Sequence, residues 1–261
     1  MKLGLISPSH DREGLMKVAS YGLRFTEFDI NGDDLSYLNE TEIKKALSEF
    51  NVSLAAIGRW GRNRLNSNGT INHKEFDDET KLIDLCAATE CPVYITGINY
   101  LNDKSLYENY TLAIDYFTKL IDYAQLKNVK LCTYNCNWNN WVYMREQWEV
   151  IHKHIPELGI KFDPSHSVNG LRDYLQETKN YGQLFDHVHI KGTININGER
   201  VDDPPAGMDS INWPVFLSLL RKHEYKGVLS IEPHSEIWQG ELGEKGIRFT
   251  IDYIKRLLFI N

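Results

Sequence analysis

Three side chains that commonly bind divalent metal ions stand at the ends of three successive apolar segments in the second half of the chain. Asp163 ends the segment IKFD, His189 lies in DHVHIK, and Glu232 ends VLSIE. A buried cluster of two carboxylates and an imidazole is unfavourable unless a partner neutralises it. One divalent ion bound by Asp163, His189 and Glu232 is the simplest solution, and this donor set suits Mn, Mg, Co or Zn. The alternative is that each group is only hydrogen-bonded.

The alternation of polar and apolar residues assigns these side chains to one face of each segment. His187, His189 and Lys191 share one face, and Val188 and Ile190 share the other. The apolar face is expected to pack against helices, so the polar face lines an interior space. His187 is predicted to bind substrate or to support its neighbours.

Polar residues also follow the earlier apolar segments. The loop GRWGRNR places Arg59, Arg62 and Arg64 after the third segment. Arginine binds carboxylate and phosphate through two parallel hydrogen bonds, so these residues predict an anionic group on the ligand. The alternative is a solvated basic loop. The full set predicted to contact substrate is His10, Glu27, Arg59, Asn135, His187 and Trp238.

Eight short apolar segments alternate with amphipathic ones along the whole chain. The predicted strands are Leu3–Ile6, Phe25–Phe28, Leu54–Ile57, Val93–Thr96, Val129–Tyr134, Ile160–Asp163, His187–Lys191 and Val228–Glu232. The predicted helices are Glu13–Tyr21, Glu40–Phe50, His73–Thr89, Tyr107–Lys127, Val142–His154, Gly170–Asn180, Trp213–Glu224 and Glu244–Phe259. This order predicts an α/β protein, a single-domain (β/α)8 TIM barrel over residues 1–261. The alternative, an open doubly wound sheet, usually has a glycine-rich first turn, whereas SPSHDREG follows Ile6.

Composition narrows the possible classes of partner. The chain has 261 residues and a net charge of −7, which argues against nucleic-acid binding. Its four cysteines form no CxxC pair, and no segment approaches the length of a membrane span. We therefore expect a cytoplasmic protein with no nucleic-acid or membrane partner. Homo-oligomerisation stays open.

Three motifs resemble the sugar phosphate isomerase/epimerase family, which has the xylose isomerase-like TIM barrel. They are DPSH at Asp163–His166, HVHIKG at His187–Gly192 and LSIEPH at Leu229–His234. The resemblance implies one divalent metal held by Glu, Asp, His and Glu on strands five to eight. Asp163, His189 and Glu232 match the last three positions. Tyr134 stands where the first Glu would be.

The resemblance also implies the reaction and the residues that perform it. The expected protein is a metal-dependent isomerase or epimerase of a sugar, sugar phosphate or sugar acid, which removes a proton next to a carbonyl and stabilises an enediolate. The expected catalytic residues are Glu232, His166, Lys191 and Tyr134. Family epimerases use the glutamates of strands five and eight as paired bases, and Tyr134 is a poor base at neutral pH. The alternatives are therefore a lyase or dehydratase on the same scaffold, or a non-catalytic carbohydrate-binding barrel. An apurinic-site endonuclease is the least favoured.

Overall fold

A closed barrel of eight parallel strands forms the centre of the molecule. The computed structural model describes residues 1–260, so the last residue of the predicted 1–261 domain, Asn261, lies outside the described residues. The strands are β1 (Lys2–Ile6), β2 (Phe25–Asp29), β3 (Ser53–Gly58), β4 (Val93–Thr96), β5 (Lys130–Tyr134), β6 (Gly159–Phe162), β7 (Phe185–Ile190), β8 (Ile194–Ile196), β9 (Glu199–Asp202) and β10 (Val228–Ile231). The hydrogen-bonded order around the barrel is β1-β10-β7-β6-β5-β4-β3-β2, and β8 and β9 form a separate hairpin. The predicted TIM barrel is confirmed, and the open sheet is excluded.

Helices cover the outside of the barrel. They are α1 (Arg12–Ser20), α2 (Glu40–Phe50), α3 (His73–Ala88), α4 (Leu106–Leu126), α5 (Arg145–His154), α6 (Pro164–Asn169), α7 (Tyr174–Tyr181), α8 (Trp213–Lys222) and α9 (Gly240–Leu258). Side chains in the sequence fix where several begin. Ser105 and Glu108 form a capping box at the start of α4, and Asn39 accepts a hydrogen bond from the Glu42 amide at the start of α2.

The predicted elements differ from the structure mainly beyond β6 and β7. The helix predicted over Gly170–Asn180 corresponds to α7 and begins only at Tyr174, and the short helix α6 before it was not predicted. Leu171 between them has a left-handed φ of 55°, which no helix can continue through. The hairpin of β8 and β9 was not predicted. It is short, and four of its seven residues are charged or asparagine, so it lacks a long apolar alternation that would indicate a strand.

The interior of the barrel has an apolar side and a polar side. The apolar side comes from β3 to β5 and the loops that follow them, and comprises Ala56, Trp60, Val93, Ile95, Cys132, Tyr134 and Cys136. The polar side comes from β2, β6, β7 and β10, whose buried inward residues include Glu27, Lys161, His187, His189 and Ser230. The barrel therefore concentrates its buried charge on one side, next to an aromatic wall.

No helix within residues 1–260 is both long enough and apolar enough to cross a bilayer.

Candidate active site

A cavity of about 520 Å³ opens at the carboxyl ends of the barrel strands. Its lining combines charged, amide and aromatic side chains. They include Asp29, Asn31, Trp60, Asn135, Trp138, Tyr143, Lys161, His166, Arg172, His189, Lys191, Arg200, Glu232 and His234. A cavity of this size and polarity suits a small polar ligand. It lies where TIM-barrel enzymes carry their active sites.

Four of the predicted residues meet at the floor of this cavity. The Lys191 ammonium lies 3.1 Å from Asp163 Oδ2 and 3.3 Å from Glu232 Oε1. It also lies 3.3 Å from His166 Nε2. Burial opposes the charged form of Lys191, but the carboxylates of Asp163 and Glu232 outweigh burial and raise the pKa of Lys191. Lys191 is therefore held as an ammonium between two carboxylates.

Asn135 fixes the position of Asp163. Its side-chain amide donates to the Asp163 carbonyl at 2.8 Å and accepts from the Asp163 amide at 2.9 Å. Asp163 Oδ1 accepts a hydrogen bond from the Ser165 amide at 2.8 Å, as the N-cap of α6. Asn135 was predicted to bind substrate. It lines the cavity, but both ends of its amide already hold the strand that carries Asp163.

His189 is held between two carboxylates. Its Nε2 lies 2.9 Å from both oxygens of Glu27, and its Nδ1 lies 2.7 Å from Glu232 Oε2. Burial acts to lower the pKa of His189, but Glu27 and Glu232 outweigh it and raise the pKa to about 9. Glu27 therefore orients the ring so that Nδ1 faces the cavity.

Glu27 and His187 lie one layer deeper than the prediction placed them. Both are fully buried, and neither lines the cavity. His187 Nε2 lies 2.7 Å from Glu27 Oε2 and 3.0 Å from the Ser230 hydroxyl. The prediction that Glu27 contacts substrate is corrected, and of the two roles left open for His187 the structure favours the supporting one. Glu27 holds His189 from below, and His187 holds Glu27. Alternation along a strand identifies the inward face but not the depth within it.

The pKa values of His166 and Glu232 are both lowered, which gives the two groups different charges. Burial, followed by the nearby Lys191 charge, lowers the pKa of His166 to about 3, so its imidazole is neutral. Burial acts to raise the pKa of Glu232, but Lys191 and His189 outweigh it and hold this pKa well below its usual value. Near neutral pH the site therefore presents a neutral imidazole and an ionised carboxylate to a ligand.

Asp29 is a cavity residue that the site prediction did not include. Burial, followed by the charge of Glu27, raises the pKa of Asp29 well above its usual value. Within residues 1–260, its Oδ1 is buried without a hydrogen-bond partner. The available signal was its spacing: Asp29 follows Glu27 by two residues, so it points inward from the same strand.

The raised pKa of Asp29 leads to a prediction about stability and pH. The folded state keeps this proton at pH values where the unfolded chain has lost it, so stability should fall as pH rises above the unfolded pKa. We expect the free energy of unfolding of Asp29→Asn to fall less between pH 5 and pH 8 than that of the wild type, with a slope difference of up to about 1.4 kcal/mol per pH unit. Urea unfolding at both pH values measures this. Parallel pH profiles would contradict it.

Tyr134 does not fill the catalytic role predicted for it. Its hydroxyl donates to the Trp138 carbonyl at 2.8 Å, and its ring stacks on Trp60 at a centroid distance of 5.7 Å. Burial raises the pKa of Tyr134 to about 12. Tyr134 does not line the cavity. The prediction is corrected: this side chain packs the apolar side of the barrel, and its hydroxyl is already bonded to a main-chain carbonyl away from the cavity lining.

Tyr134→Phe therefore tests the corrected role. We expect kcat to change by less than about threefold, because the hydroxyl bonds a main-chain carbonyl and does not reach substrate. The free energy of unfolding should fall by roughly 1 kcal/mol, since the Trp138 carbonyl loses a donor. Steady-state kinetics and urea unfolding measure the two effects. A hundredfold loss of kcat at unchanged stability would restore the catalytic assignment.

The arginines after β3 pair with carboxylates on α3 and do not face the cavity. Arg59 Nε lies 2.6 Å from Glu75 Oε1, and Arg64 lies 3.2 Å from Glu79. Both arginines are fully buried. Arg62 pairs with Glu75 and Asp33. The predictions that Arg59 binds substrate and that this loop binds an anion are corrected, because the guanidinium groups are already neutralised.

His10 and Trp238 lie beside the cavity and not on it. His10 Nδ1 is 2.8 Å from the Tyr37 hydroxyl, and its ring contacts Phe28. Trp238 lines a separate cavity of about 30 Å³ against Gly246 of α9. That small cavity shares Glu232 with the large one. Neither residue is part of the large cavity's lining, so their predicted substrate contacts stay predictions.

The donor set fits a metal ion. One ligand atom from each of Asp163, His189 and Glu232 lies within 4.8 Å of the others. Within residues 1–260, Asp163 Oδ2 is buried and makes no hydrogen bond, and the Lys191 ammonium lies 3.1 Å from it. A buried carboxylate oxygen that already faces a cation, beside an imidazole anchored by Glu27, is typical of a metal ligand. Ligand atoms of Glu27, His187 and His189 also lie within 4.8 Å of one another. These atoms already hydrogen-bond to each other, however.

The same barrel occurs in several sugar epimerases. A D-allulose 3-epimerase from Methylomonas sp. superimposes with a TM-score of 0.77 at 15% identity, over 98% of both chains. A D-tagatose 3-epimerase-like protein gives 0.77 at 18% identity, again over 98% of both chains. The 3-keto-D-glucoside 4-epimerase of E. coli gives 0.75 at 16% identity, over 98% of this chain and 99% of that chain. At these identities the likeness establishes the fold.

Comparison at the level of sequence gives the family. A search of curated proteins finds no match to this chain. A family model described as "Xylose isomerase-like TIM barrel" matches residues 15–257, which is nearly the entire chain. This match agrees with the closed parallel barrel and with the motifs that end β6, β7 and β10. The chain therefore belongs to the xylose isomerase-like TIM barrel family.

Proposed function

We propose that this protein is a sugar isomerase or epimerase that removes a proton from the carbon next to a carbonyl. The observation that carries the proposal is the convergence of Asp163, His189, Lys191 and Glu232 at one end of a polar cavity. Sugars with a carbonyl fit this cavity because its amide, imidazole and aromatic groups can bind hydroxyls and sugar faces. The known epimerases that share the fold add support.

Glu232 is the proposed base. Its lowered pKa favours the ionised form and it reaches the cavity, whereas Asp163 is fully enclosed and burial raises the pKa of Asp29 well above its usual value. Lys191, which lies 3.3 Å from Glu232, is placed to stabilise negative charge that develops on the substrate oxygen. His166 is neutral and donates or accepts a hydrogen bond at a substrate hydroxyl. The three residues together supply a base, a cation and a neutral relay.

A divalent metal would be held by Asp163, His189 and Glu232. When bound, such an ion polarises a carbonyl as a Lewis acid. Oxygen and imidazole donors suit Mn, Mg, Co or Zn. The Lys191 ammonium now lies between the Asp163 and Glu232 carboxylates, so it would have to move aside, and His189 would have to give up a proton.

The position of Tyr134 favours isomerisation over epimerisation by two bases. Paired-base epimerisation needs a second carboxylate on the opposite face of the substrate, and a tyrosine with a pKa of about 12 cannot replace it. Aldose–ketose isomerisation needs one base, which takes the proton from one carbon and returns it to the next. Glu232 alone satisfies that requirement.

The reaction is tested with a panel of ketoses and aldoses in D₂O followed by ¹H NMR. We expect interconversion of an aldose–ketose pair with deuterium incorporated next to the carbonyl. Loss of water from the product would indicate a dehydratase instead. Binding without deuterium exchange would indicate a carbohydrate-binding barrel.

Metal dependence is tested by binding, independently of turnover. We expect one Mn²⁺ per chain by elemental analysis after dialysis against the metal, and a rise in the melting temperature that EDTA reverses. Asp163→Asn should abolish both, because the metal would lose an anionic ligand. Glu157→Gln, at an exposed carboxylate before β6, is the control. Equal metal content in wild type and Asp163→Asn would contradict the assigned site.

A further inference from the structure

Lys161 is a buried lysine whose charge the proposed mechanism does not use. It lies on the inner face of β6, two residues before Asp163, and only 1% of it is exposed. Its ammonium lines the large cavity, 5.8 Å from the centre of the Trp60 ring. The side chain therefore brings a positive charge to the ligand space, against the aromatic side of the barrel.

Every other lysine or arginine of the cavity already has a carboxylate partner. Lys191 pairs with Asp163 and Glu232. Arg172 lies 2.8 Å from Glu177, and Arg200 lies 2.5 Å from Asp203.

Lys161 differs from these three. Within residues 1–260, no carboxylate oxygen lies within 4.0 Å of its ammonium, and it makes no hydrogen bond. Asp29, Asp163 and Glu232 act on its charge only at longer range than an ion pair. A buried ammonium without a direct ion-pair partner is costly, and a single aromatic ring offsets only part of that cost. The ammonium therefore has room for an anion that enters the cavity.

We propose that the Lys161 ammonium binds a carboxylate of the substrate, so that the substrate class is the sugar acids. This inference rests on the proposed function, and it narrows the substrate of that same site. A carboxylate fits better than a phosphate because one ammonium neutralises one charge. A phosphate dianion needs further donors, and Arg172 and Arg200 are already engaged.

The test compares matched ligands by calorimetry at low salt: D-fructose, D-fructuronate and D-fructose 6-phosphate. We expect the wild type to bind the uronate at least about tenfold more tightly than the neutral sugar, as a charge-assisted hydrogen bond in a buried site allows. Lys161→Met should remove this preference while the Kd for D-fructose changes by less than twofold. Lys161→Arg should keep part of the preference.

A control variant distinguishes binding of a carboxylate by Lys161 from a purely structural role of this side chain. Lys45→Met, at an exposed lysine of α2, should leave all three affinities unchanged. Equal affinity of the wild type for uronate and neutral sugar would overturn the proposal, as would tighter binding of the phosphate. An equal loss for all ligands in both Lys161 variants would also overturn it. Calorimetry needs no turnover, so a preference for the uronate can be observed even if the protein does not isomerise sugars. Conversely, isomerisation of a neutral ketose without that preference would support the proposed function and overturn the Lys161 subsite.

Discussion

Glu232→Gln should lower kcat for aldose–ketose interconversion by roughly a thousandfold. General-base catalysis by a positioned carboxylate contributes about 10²–10⁴ in rate, and the amide cannot accept the proton. Among the described residues, the nearby carboxyl groups are poorly suited to substitute, because Asp163 is enclosed beneath Lys191 and burial raises the pKa of Asp29 well above its usual value. Steady-state kinetics and the rate of deuterium incorporation in D₂O measure the loss.

The control for this variant is Glu236→Gln, at an exposed carboxylate of the same loop. It should keep wild-type kcat. The Glu232 variant also removes a partner of His189 and Lys191, so its melting temperature must be measured alongside. If Glu232→Gln kept more than a tenth of the wild-type exchange rate in a folded protein, the base would have to be another group.

The position of the polar cluster could largely be predicted, because three neighbouring barrel strands each end in a side chain that can bind a cation. Strand ends in a parallel barrel meet at one face, so Asp163, His189 and Glu232 had to come close together wherever the barrel closed. The structure brings these residues together with His166 and Lys191. Their predicted roles in catalysis and metal binding stay predictions.

The alternation of polar and apolar residues did not predict how deep in the barrel each inward side chain lies. Glu27 and Asp29 both face inward from β2, yet one supports His189 below the cavity and the other lines it. Alternation gives the face of a strand, whereas depth depends on how the strands are staggered around the barrel. Lys161 precedes Asp163 by two residues and so shares its face of β6, but its lack of a direct ion-pair partner depends on where every other carboxylate points.

The arginines after β3 were misassigned because an arginine in a βα loop can turn either toward the cavity or outward toward the helices. The sequence of α3 contained the deciding feature: Glu75 and Glu79 are four residues apart and so share one face of the helix. That face is turned to the barrel, and both glutamates are buried. A buried glutamate needs a cation, and the arginines are the nearest available in the chain.

Glu79→Ala should therefore destabilise the protein more than any surface substitution. Glu79 Oε1 accepts hydrogen bonds from Arg64 at 3.2 Å, Tyr94 at 3.2 Å and Thr96 at 2.5 Å, and Tyr116 donates to Oε2. Removing the carboxylate leaves a fully buried guanidinium without a counter-charge, which costs about 3–5 kcal/mol. Urea unfolding measures the loss.

Two further variants decide whether the buried charge is the cause of that loss. Asp77→Ala, at an exposed carboxylate on the same helix, should change the free energy of unfolding by less than about 0.5 kcal/mol. Adding Arg64→Met to Glu79→Ala should recover part of the stability, because the orphaned charge disappears along with its partner. If the double variant were less stable than Glu79→Ala, the Arg64 charge would be tolerated, and packing around the three hydroxyl donors would account for the cost. Recovery would instead indicate that the buried ion pair of Arg64 and Glu79 holds α3 against the barrel.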